Sequence, residues 1–236
     1  MKTALVLAGG LGTRLRPLTY EIPKPLIPVQ GISLTEQCIN KLKEAGVSKV
    51  YLSIGYMADR IIDYFKNKNV GVEIEFLVEK EPLGTGGCFH LLSKSQIRND
   101  FSEDFIVVNG DNLFDLNWKK MFMLHKRNTA LITIALTEVE DVTSKGAVKL
   151  LGDRIVRFVE KTTNEEAPSK YVSSGYYIFS PKVFLQLPHE KKFMLERELF
   201  PTLALKRKLF GYYDSAAWFD TGTFERWEEV VTKWKK

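Results

Sequence analysis

The sequence predicts an α/β fold built on a largely parallel sheet, and three observations carry that expectation. Short apolar runs at Ala4–Leu7, Lys49–Ile54, Val72–Val78 and Phe105–Val108 alternate with helical patterns near Leu34–Ala45, Asp59–Lys66 and Gly87–Ser95. Alternation of this kind implies parallel strands covered by helices. The first apolar run then empties into Gly9-Gly10-Leu11-Gly12, and Asp111 follows the fourth run. Both therefore lie beyond the carboxyl ends of strands, where open α/β sheets bind their ligands. From Ala130 onward the pattern turns β-rich, which makes the sheet a mixed one.

Each element has a local reason. Leu34, Cys38, Leu42 and Ala45 share one helical face, and Gly46 is placed to end that helix. Ala130–Leu136, Ala147–Leu151, Ile155–Val159 and Val172–Phe179 read as strands, with Gly152-Asp153 as a hairpin turn between two of them. Thr162–Lys170, containing Asn164-Glu165-Glu166 and Pro168, reads as a mobile surface loop. Helical patterns near Glu196–Lys206, broken or restarted at Pro201, and at Phe224–Lys235 follow. There is no repeat, low-complexity tract or clear linker, so a single domain over residues 1–236 is expected.

Composition narrows the function classes. At 44% hydrophobic the chain of 236 residues can bury a sizeable core, and no stretch approaches the ~20 apolar residues of a membrane span. The start, Met1-Lys2-Thr3 and then a strand, lacks the apolar region and cleavage site of a signal peptide. Cys38 and Cys88 form no metal-ligand pattern and fit a reducing compartment, so a cytoplasmic protein without a membrane partner is expected. The net charge of +5 is scattered, with short clusters such as Lys206-Arg207-Lys208, which reads as a solvated basic surface and not a nucleic-acid site. A modest positive field also gathers polyanionic substrates.

The glycine loop points to phosphate. Three glycines, Gly9, Gly10 and Gly12, are followed by Arg14 and Arg16, and Lys24 stands between Pro23 and Pro25. Glycines let backbone approach a ligand and aim N–H groups at an anion, and the cations neutralise what dipoles cannot. Two other phosphate loops fail. No Gly-Lys-Ser/Thr follows Gly12, and Leu15 stands where a dinucleotide fingerprint starting at Gly10 requires its third glycine.

These residues resemble the sugar-1-phosphate nucleotidylyltransferases, whose G-x-G-T-R-L-x-P-L-T loop and K-P-L-x-P follow-on stand almost letter for letter from Gly10 to Pro28. The resemblance continues in order through Glu81-Pro82-Leu83-Gly84-Thr85-Gly86-Gly87, Val108-Asn109-Gly110-Asp111, Glu160-Lys161 and Trp218-Phe219-Asp220-Thr221-Gly222. It implies a Rossmann-like, glycosyltransferase-A-like three-layer fold. Residues 1–128 would form mainly the nucleotide-binding half and residues 129–236 mainly the sugar-phosphate half. Because longer members append a β-helix or regulatory tail, a bare catalytic domain is expected here, as a monomer or weak homodimer.

The implied reaction is attack of a sugar 1-phosphate oxygen on the α-phosphorus of a nucleoside triphosphate, releasing pyrophosphate. The attacking oxygen is already ionised near neutral pH, so the protein must supply positioning and positive charge and no general base. By resemblance Arg14 holds the leaving pyrophosphate, Lys24 neutralises the α-phosphate, and Lys161 binds the sugar phosphate beside Glu160, which takes sugar hydroxyls. Asp111 and Asp220 are the candidate ligands of Mg²⁺, which prefers oxygen and keeps some water. Taken alone, Asp111 reads as a turn residue, Asp220 as a helix cap, Glu160-Lys161 as an exposed ion pair, and Arg16 as either surface or site. The resemblance assigns the nucleotide to Leu7, Ala8, Gly9, Gly10, Gly12, Thr13, Arg14, Glu79, Pro82, Leu83, Gly84, Thr85, Asn109 and Gly110. It assigns the sugar side to Gly146, Ser174 and Gly175 as well as Glu160 and Lys161.

The Pro82–Gly86 loop looks most like guanylyltransferases for mannose or heptose 1-phosphate, so GTP is the expected donor. The alternatives are uridylyl, thymidylyl or cytidylyl transfer to glucose 1-phosphate, an amino-sugar 1-phosphate or choline phosphate, and a non-catalytic nucleotide-sensing subunit. Two departures from the family stand out. Ser173 occupies a position where many members carry Asn, and Glu160-Lys161-Thr162 lacks the proline that often follows the lysine. A hydroxyl cannot present the donor and acceptor ends of an amide, so the sugar is the least determined part.

Overall fold

A computed structural model of the chain describes residues 1–93 and 96–234. In chain order the elements are β1 (Thr3–Leu7), α1 (Leu18–Glu21), β2 (Pro28–Val29), β3 (Ile32–Ser33), α2 (Leu34–Glu44), β4 (Lys49–Ile54), α3 (Ala58–Lys66) and β5 (Glu73–Val78). Then come α4 (Cys88–Ser93), β6 (Phe105–Asn109), β7 (Asn112–Phe114), α5 (Trp118–Arg127), β8 (Ile132–Glu138), β9 (Gly146–Leu151), β10 (Arg154–Glu160) and β11 (Tyr171–Phe179). The chain finishes with α6 (Phe200–Leu205), β12 (Leu209–Tyr213), β13 (Trp218–Asp220) and α7 (Phe224–Lys233).

Packing divides these elements into two compact units. One holds Met1–Pro82, Val107–Asp115 and Ala216–Lys236; the other holds Leu83–Ile106 and Leu116–Ser215. Leu83–Ile106 packs with the second unit, and Trp218–Asp220 returns to the first.

In the first unit the strands lie in the order β5-β4-β1-β6, with β1–β4 and β4–β5 parallel and Leu7 opposite Ser53. Ala4, Leu5 and Val6 are consecutive and fully buried, as a parallel strand covered on both faces requires. Helix α2 starts where the Ser33 hydroxyl accepts the Glu36 N–H, and it buries Leu34, Cys38, Ile39 and Leu42. Its end is as anticipated, with Gly46 in the left-handed region at φ 85°. A small antiparallel ribbon pairs β7 with β13 and sets Asp220 opposite Asn112.

The second unit is mixed. Its order is β11-β8-β12-β10-β9, with β8–β12 parallel and β11–β8 and β10–β9 antiparallel. The hairpin turn at Gly152 is confirmed, at φ 58°. Strand β8 buries Ile132 through Leu136 without a break. Helix α5 was not anticipated, although Trp118, Met121 and His125 are spaced as its buried face. His125 interrupts that apolar pattern; it is satisfied by Thr133 Oγ1 at 2.8 Å.

Several boundaries differ from the sequence reading. β5 begins at Glu73, α4 at Cys88, and α7 ends at Lys233. The ends expected at Ser95 and Lys235 lie outside the described residues. The restart expected at Pro201 is present: a π-helical turn over Leu195–Leu199 precedes α6, and Pro201 sits in the first turn of α6, where its missing N–H costs nothing.

Candidate active site

The glycine loop leaves β1 and is tied down at its far end. Gly12 adopts φ 62°, and its carbonyl accepts both the Leu15 N–H and the Thr19 hydroxyl at 2.9 Å. A Cβ at Gly12 would come within 2.9 Å of the Thr19 methyl, so packing as well as conformation requires glycine there. Gly10 is different. Nothing lies within 4 Å of a Cβ built on it, and Gly9 has only ordinary contacts from 3.6 Å outward. The protein does not need those two positions bare. Their missing side chains keep space open above the strand ends.

Other expected nucleotide residues gather at this loop. The Leu7 carbonyl accepts the Gly110 N–H at 2.9 Å, and Glu79 Oε1 accepts the Ser53 hydroxyl at 2.6 Å while lying 3.8 Å from a Cβ built on Gly9. Asn109 Oδ1 is buried with no hydrogen-bond partner among the described residues. Such an acceptor is costly to leave unsatisfied, and a ligand donor would relieve it. Thr13 and Arg14 are exposed on the following turn, and the Arg14 guanidinium reaches 3.0 Å from a Cβ built on Gly222. Arg16 instead lies over the Tyr20 ring at 5.0 Å, which accounts for it as a surface residue.

The two candidate metal carboxylates are brought together by the ribbon. Asp111 lies between β6 and β7, and its carbonyl accepts both the N–H and the hydroxyl of Thr221, at 3.2 and 2.8 Å and 110 residues away. Asp220, at the end of β13, is therefore its neighbour. Each carboxylate already faces a cation. Lys24 Nζ lies 2.6 Å from Asp111 Oδ2, and Arg226 lies 2.5 Å from Asp220 Oδ2. Asp220 Oδ1 also accepts the Gly222 N–H at 2.6 Å. Two carboxylates with oxygen donors only suit Mg²⁺, which completes its shell with water and phosphate. No group of three or more His, Cys, Asp or Glu side chains that could hold a metal ion is found among the described residues.

The expected acceptor residues gather in the second unit. Gly146 pairs with Glu160 across β9 and β10, and Ala147 pairs with Val172 of β11. A Cβ on Gly146 would strike the Phe158 ring at 2.4 Å and reach 3.1 Å from Glu160 Oε2, so the glycine is required by packing beside the carboxylate. Burial, with the nearby charge of Glu196, pushes the Glu160 carboxyl up to about 7. Lys161 is exposed and held in the left-handed region at φ 55°, with its N–H on the Lys145 carbonyl. Strain in a non-glycine residue of this kind is typical of binding sites. No ion pair joins Glu160 to Lys161 among the described residues.

Strand β11 bulges between Ser173 and Tyr177, with Gly175 at φ 82°. The Ser174 hydroxyl turns inward to the Ala135 carbonyl at 2.8 Å, so this position offers a ligand its backbone. Ser173, the departure from the family, donates to Tyr177 Oη at 3.3 Å.

The loop after Pro82 is clamped to Phe193–Glu196 within the same unit. A Cβ on Gly84 would sit 2.4 Å from the Phe193 carbonyl oxygen, and one on Gly86 would sit 2.1 Å from the Phe193 ring. Thr85 donates to Glu196 Oε2 at 2.6 Å. Glu196 and Arg226 escaped the sequence reading. An isolated Glu in a helical pattern and an Arg on the last helix carry no signal of their own until the fold sets them beside Thr85 and Asp220.

Residues 3–236 match the family model described as nucleotidyl transferase. A D-glycero-alpha-D-manno-heptose 1-phosphate guanylyltransferase of Aneurinibacillus thermoaerophilus is 32% identical over 219 residues, covering 93% of this chain and 92% of that one. A mannose-1-phosphate guanylyltransferase of Mycobacterium tuberculosis is 35% identical over 226 residues, but this chain spans only 61% of its length. HddC from Yersinia pseudotuberculosis, complexed with GMP-PN, superposes with a TM-score of 0.82 at 31% identity, with both chains covered in full. With the family model matched over residues 3–236 and the fold shared with the solved structure, this chain belongs to the nucleotidyl transferase family.

Proposed function

We propose that this chain transfers a guanylyl group from GTP to a mannose or heptose 1-phosphate, releasing pyrophosphate. One observation carries the reading: an open glycine loop shares a unit with Lys24–Asp111 and Arg226–Asp220, two cation–carboxylate pairs joined through Thr221. The guanine and the sugar rest on the relatives, one of nearly equal length named for heptose 1-phosphate and one solved with GMP-PN.

In this reading the backbone at Gly9 and Gly10 and the guanidinium of Arg14 hold the β- and γ-phosphates. Lys24 faces the α-phosphate, where negative charge grows as the new bond forms. Asp111 and Asp220 would hold Mg²⁺, which, when bound, screens the repulsion between two anionic reactants. Lys161 takes the sugar phosphate, and Glu160 takes a sugar hydroxyl. An ionised oxygen of the acceptor phosphate attacks the α-phosphorus in line. The bond from the α-phosphorus to its bridging oxygen breaks, and pyrophosphate leaves with the electron pair. No proton moves in that step, so Glu160 acts as a hydrogen-bonding partner and not as a base.

The test is pyrophosphate release with Mg²⁺, using GTP, UTP, dTTP, CTP and ATP against a panel of sugar 1-phosphates. Release that requires GTP and a mannose or heptose 1-phosphate is the expected result. Release with another pair corrects the substrates, and no release with any pair overturns the enzyme reading.

A further inference from the structure

The loop at residues 83–87 and the acceptor carboxylates are joined more tightly than two adjacent sites need be. The Phe193 N–H donates to the Leu83 carbonyl and the Gly86 N–H donates to the Phe193 carbonyl, each at 3.0 Å. Thr85 then makes two bonds with one hydroxyl. It accepts the Leu195 N–H at 2.9 Å and donates to Glu196 Oε2 at 2.6 Å. Both partners open the π-helical turn Leu195–Leu199, an irregularity that re-aims side chains and recurs at functional sites.

Glu196 is 8% exposed, and no cation pairs with it among the described residues. A carboxylate buried this way depends on its few donors, so loss of the Thr85 hydroxyl leaves it poorly satisfied. The turn that carries Glu196 packs on β10, whose last residue, Glu160, pairs with Gly146 on the expected sugar side; burial first and then the nearby Glu196 carboxyl push Glu160 up. The path thus runs from the 83–87 loop through Thr85 to Glu196 in the π-helical turn and on to β10, the strand that ends at Glu160.

We propose that Thr85 is a positioning residue that couples the two substrates: a base seated on the 83–87 loop fixes the Thr85 hydroxyl, which fixes Glu196 beside the acceptor carboxylate Glu160. This deepens the proposed function and rests on it. Coupling between ligands is reciprocal, so the acceptor tightens the nucleotide by the same factor.

The experiment titrates mannose 1-phosphate into the whole chain by calorimetry, with and without a non-hydrolysable GTP analogue. Wild type is expected to bind the acceptor about 10-fold more tightly with the analogue present, within the usual range for coupled sites. Thr85→Val should reduce that factor to near one, the factor being taken relative to the same variant's acceptor binding without the analogue, and Thr85→Ser should restore it. Unchanged coupling in Thr85→Val, or a Thr85→Ser variant as defective as Thr85→Val, overturns the proposal. A second readout needs no turnover and no intact threonine. Glu196→Gln keeps an acceptor for Thr85, and the Glu160 carboxyl followed by NMR should then titrate lower than it does in wild type. A Glu160 titration that does not move would overturn the path. Wild type that binds neither ligand sinks the functional reading itself; wild type that binds both without coupling sinks only this inference.

Discussion

Lys24 and Asp111, 87 residues apart, form a 2.6 Å ion pair in which the lysine side chain is 10% exposed and the aspartate side chain 40% exposed. The asymmetry matters more than the distance. Water can solvate Asp111 if its partner is lost, whereas the Lys24 ammonium has little access to solvent. Breaking a buried pair is costly mainly for the charge left behind. Asp111→Asn should therefore lower the melting temperature of the ligand-free protein more than Lys24→Met, with a difference of roughly 1–3 kcal/mol. Equal melting temperatures in the two variants would show that the ammonium left behind costs no more than the carboxylate left behind. For activity both variants should fall, Asp111→Asn by more than about 100-fold, since under the proposed function it removes a metal ligand as well.

The same pair explains what the sequence could and could not disclose. Strands and their glycine exits were legible because a buried parallel strand must be a continuous apolar run, as Ala4 to Val6 are. Asp111 and Asp220 were legible only as separate motifs. What joins them is the β7–β13 register and the two hydrogen bonds that Thr221 donates to the Asp111 carbonyl, both set by a pairing between strands far apart in the chain. Glu196 was invisible for a related reason. Its role comes from burial against Thr85, and no local pattern encodes which glutamate a fold will bury. Helix α5 was missed because His125 occupies a core position, and its polarity hid the helical period until Thr133 was seen to satisfy it.

Lys161 separates backbone strain from charge. A lysine at φ 55° pays about 1 kcal/mol relative to the ordinary helical region, a penalty glycine does not feel. Lys161→Gly should melt no lower than Lys161→Ala, despite the greater flexibility of glycine in the unfolded chain. Both should raise the KM for sugar phosphate at least ~10-fold while leaving the KM for nucleotide nearly unchanged. A rise confined to the nucleotide KM would place Lys161 on the donor side.

Glu160 gives stability a pH dependence with a defined sign. Its carboxyl is pushed up from an ordinary 4.5 to about 7, chiefly by burial and then by the Glu196 charge. The folded chain keeps a proton that the unfolded chain has released. The stabilisation this represents is fully present below the ordinary carboxylate value and is lost as pH rises through about 7. Glu160→Gln cannot ionise, so it should gain on wild type as pH rises across that window. Urea unfolding of both proteins below and above the window checks this. A difference that does not change with pH would mean Glu160 ionises normally in the folded chain.

Gly10 offers the sharpest separation of fold from function. Since nothing lies within 4 Å of its Cβ position, Gly10→Ala should fold with an unchanged melting temperature. Gly12→Ala should not, because its φ of 62° and the Thr19 methyl at 2.9 Å both resist a side chain. If the space above Gly10 is where phosphate oxygens meet the backbone, a methyl group there must push them away. The nucleotide KM of Gly10→Ala should then rise by about 10-fold or more, equivalent to about 1.4 kcal/mol of lost binding. Measuring melting temperature and nucleotide KM on the same preparation decides the matter. A folded Gly10→Ala variant with wild-type nucleotide KM would mean that the phosphates do not approach this loop, and the donor site would have to be sought elsewhere in the unit.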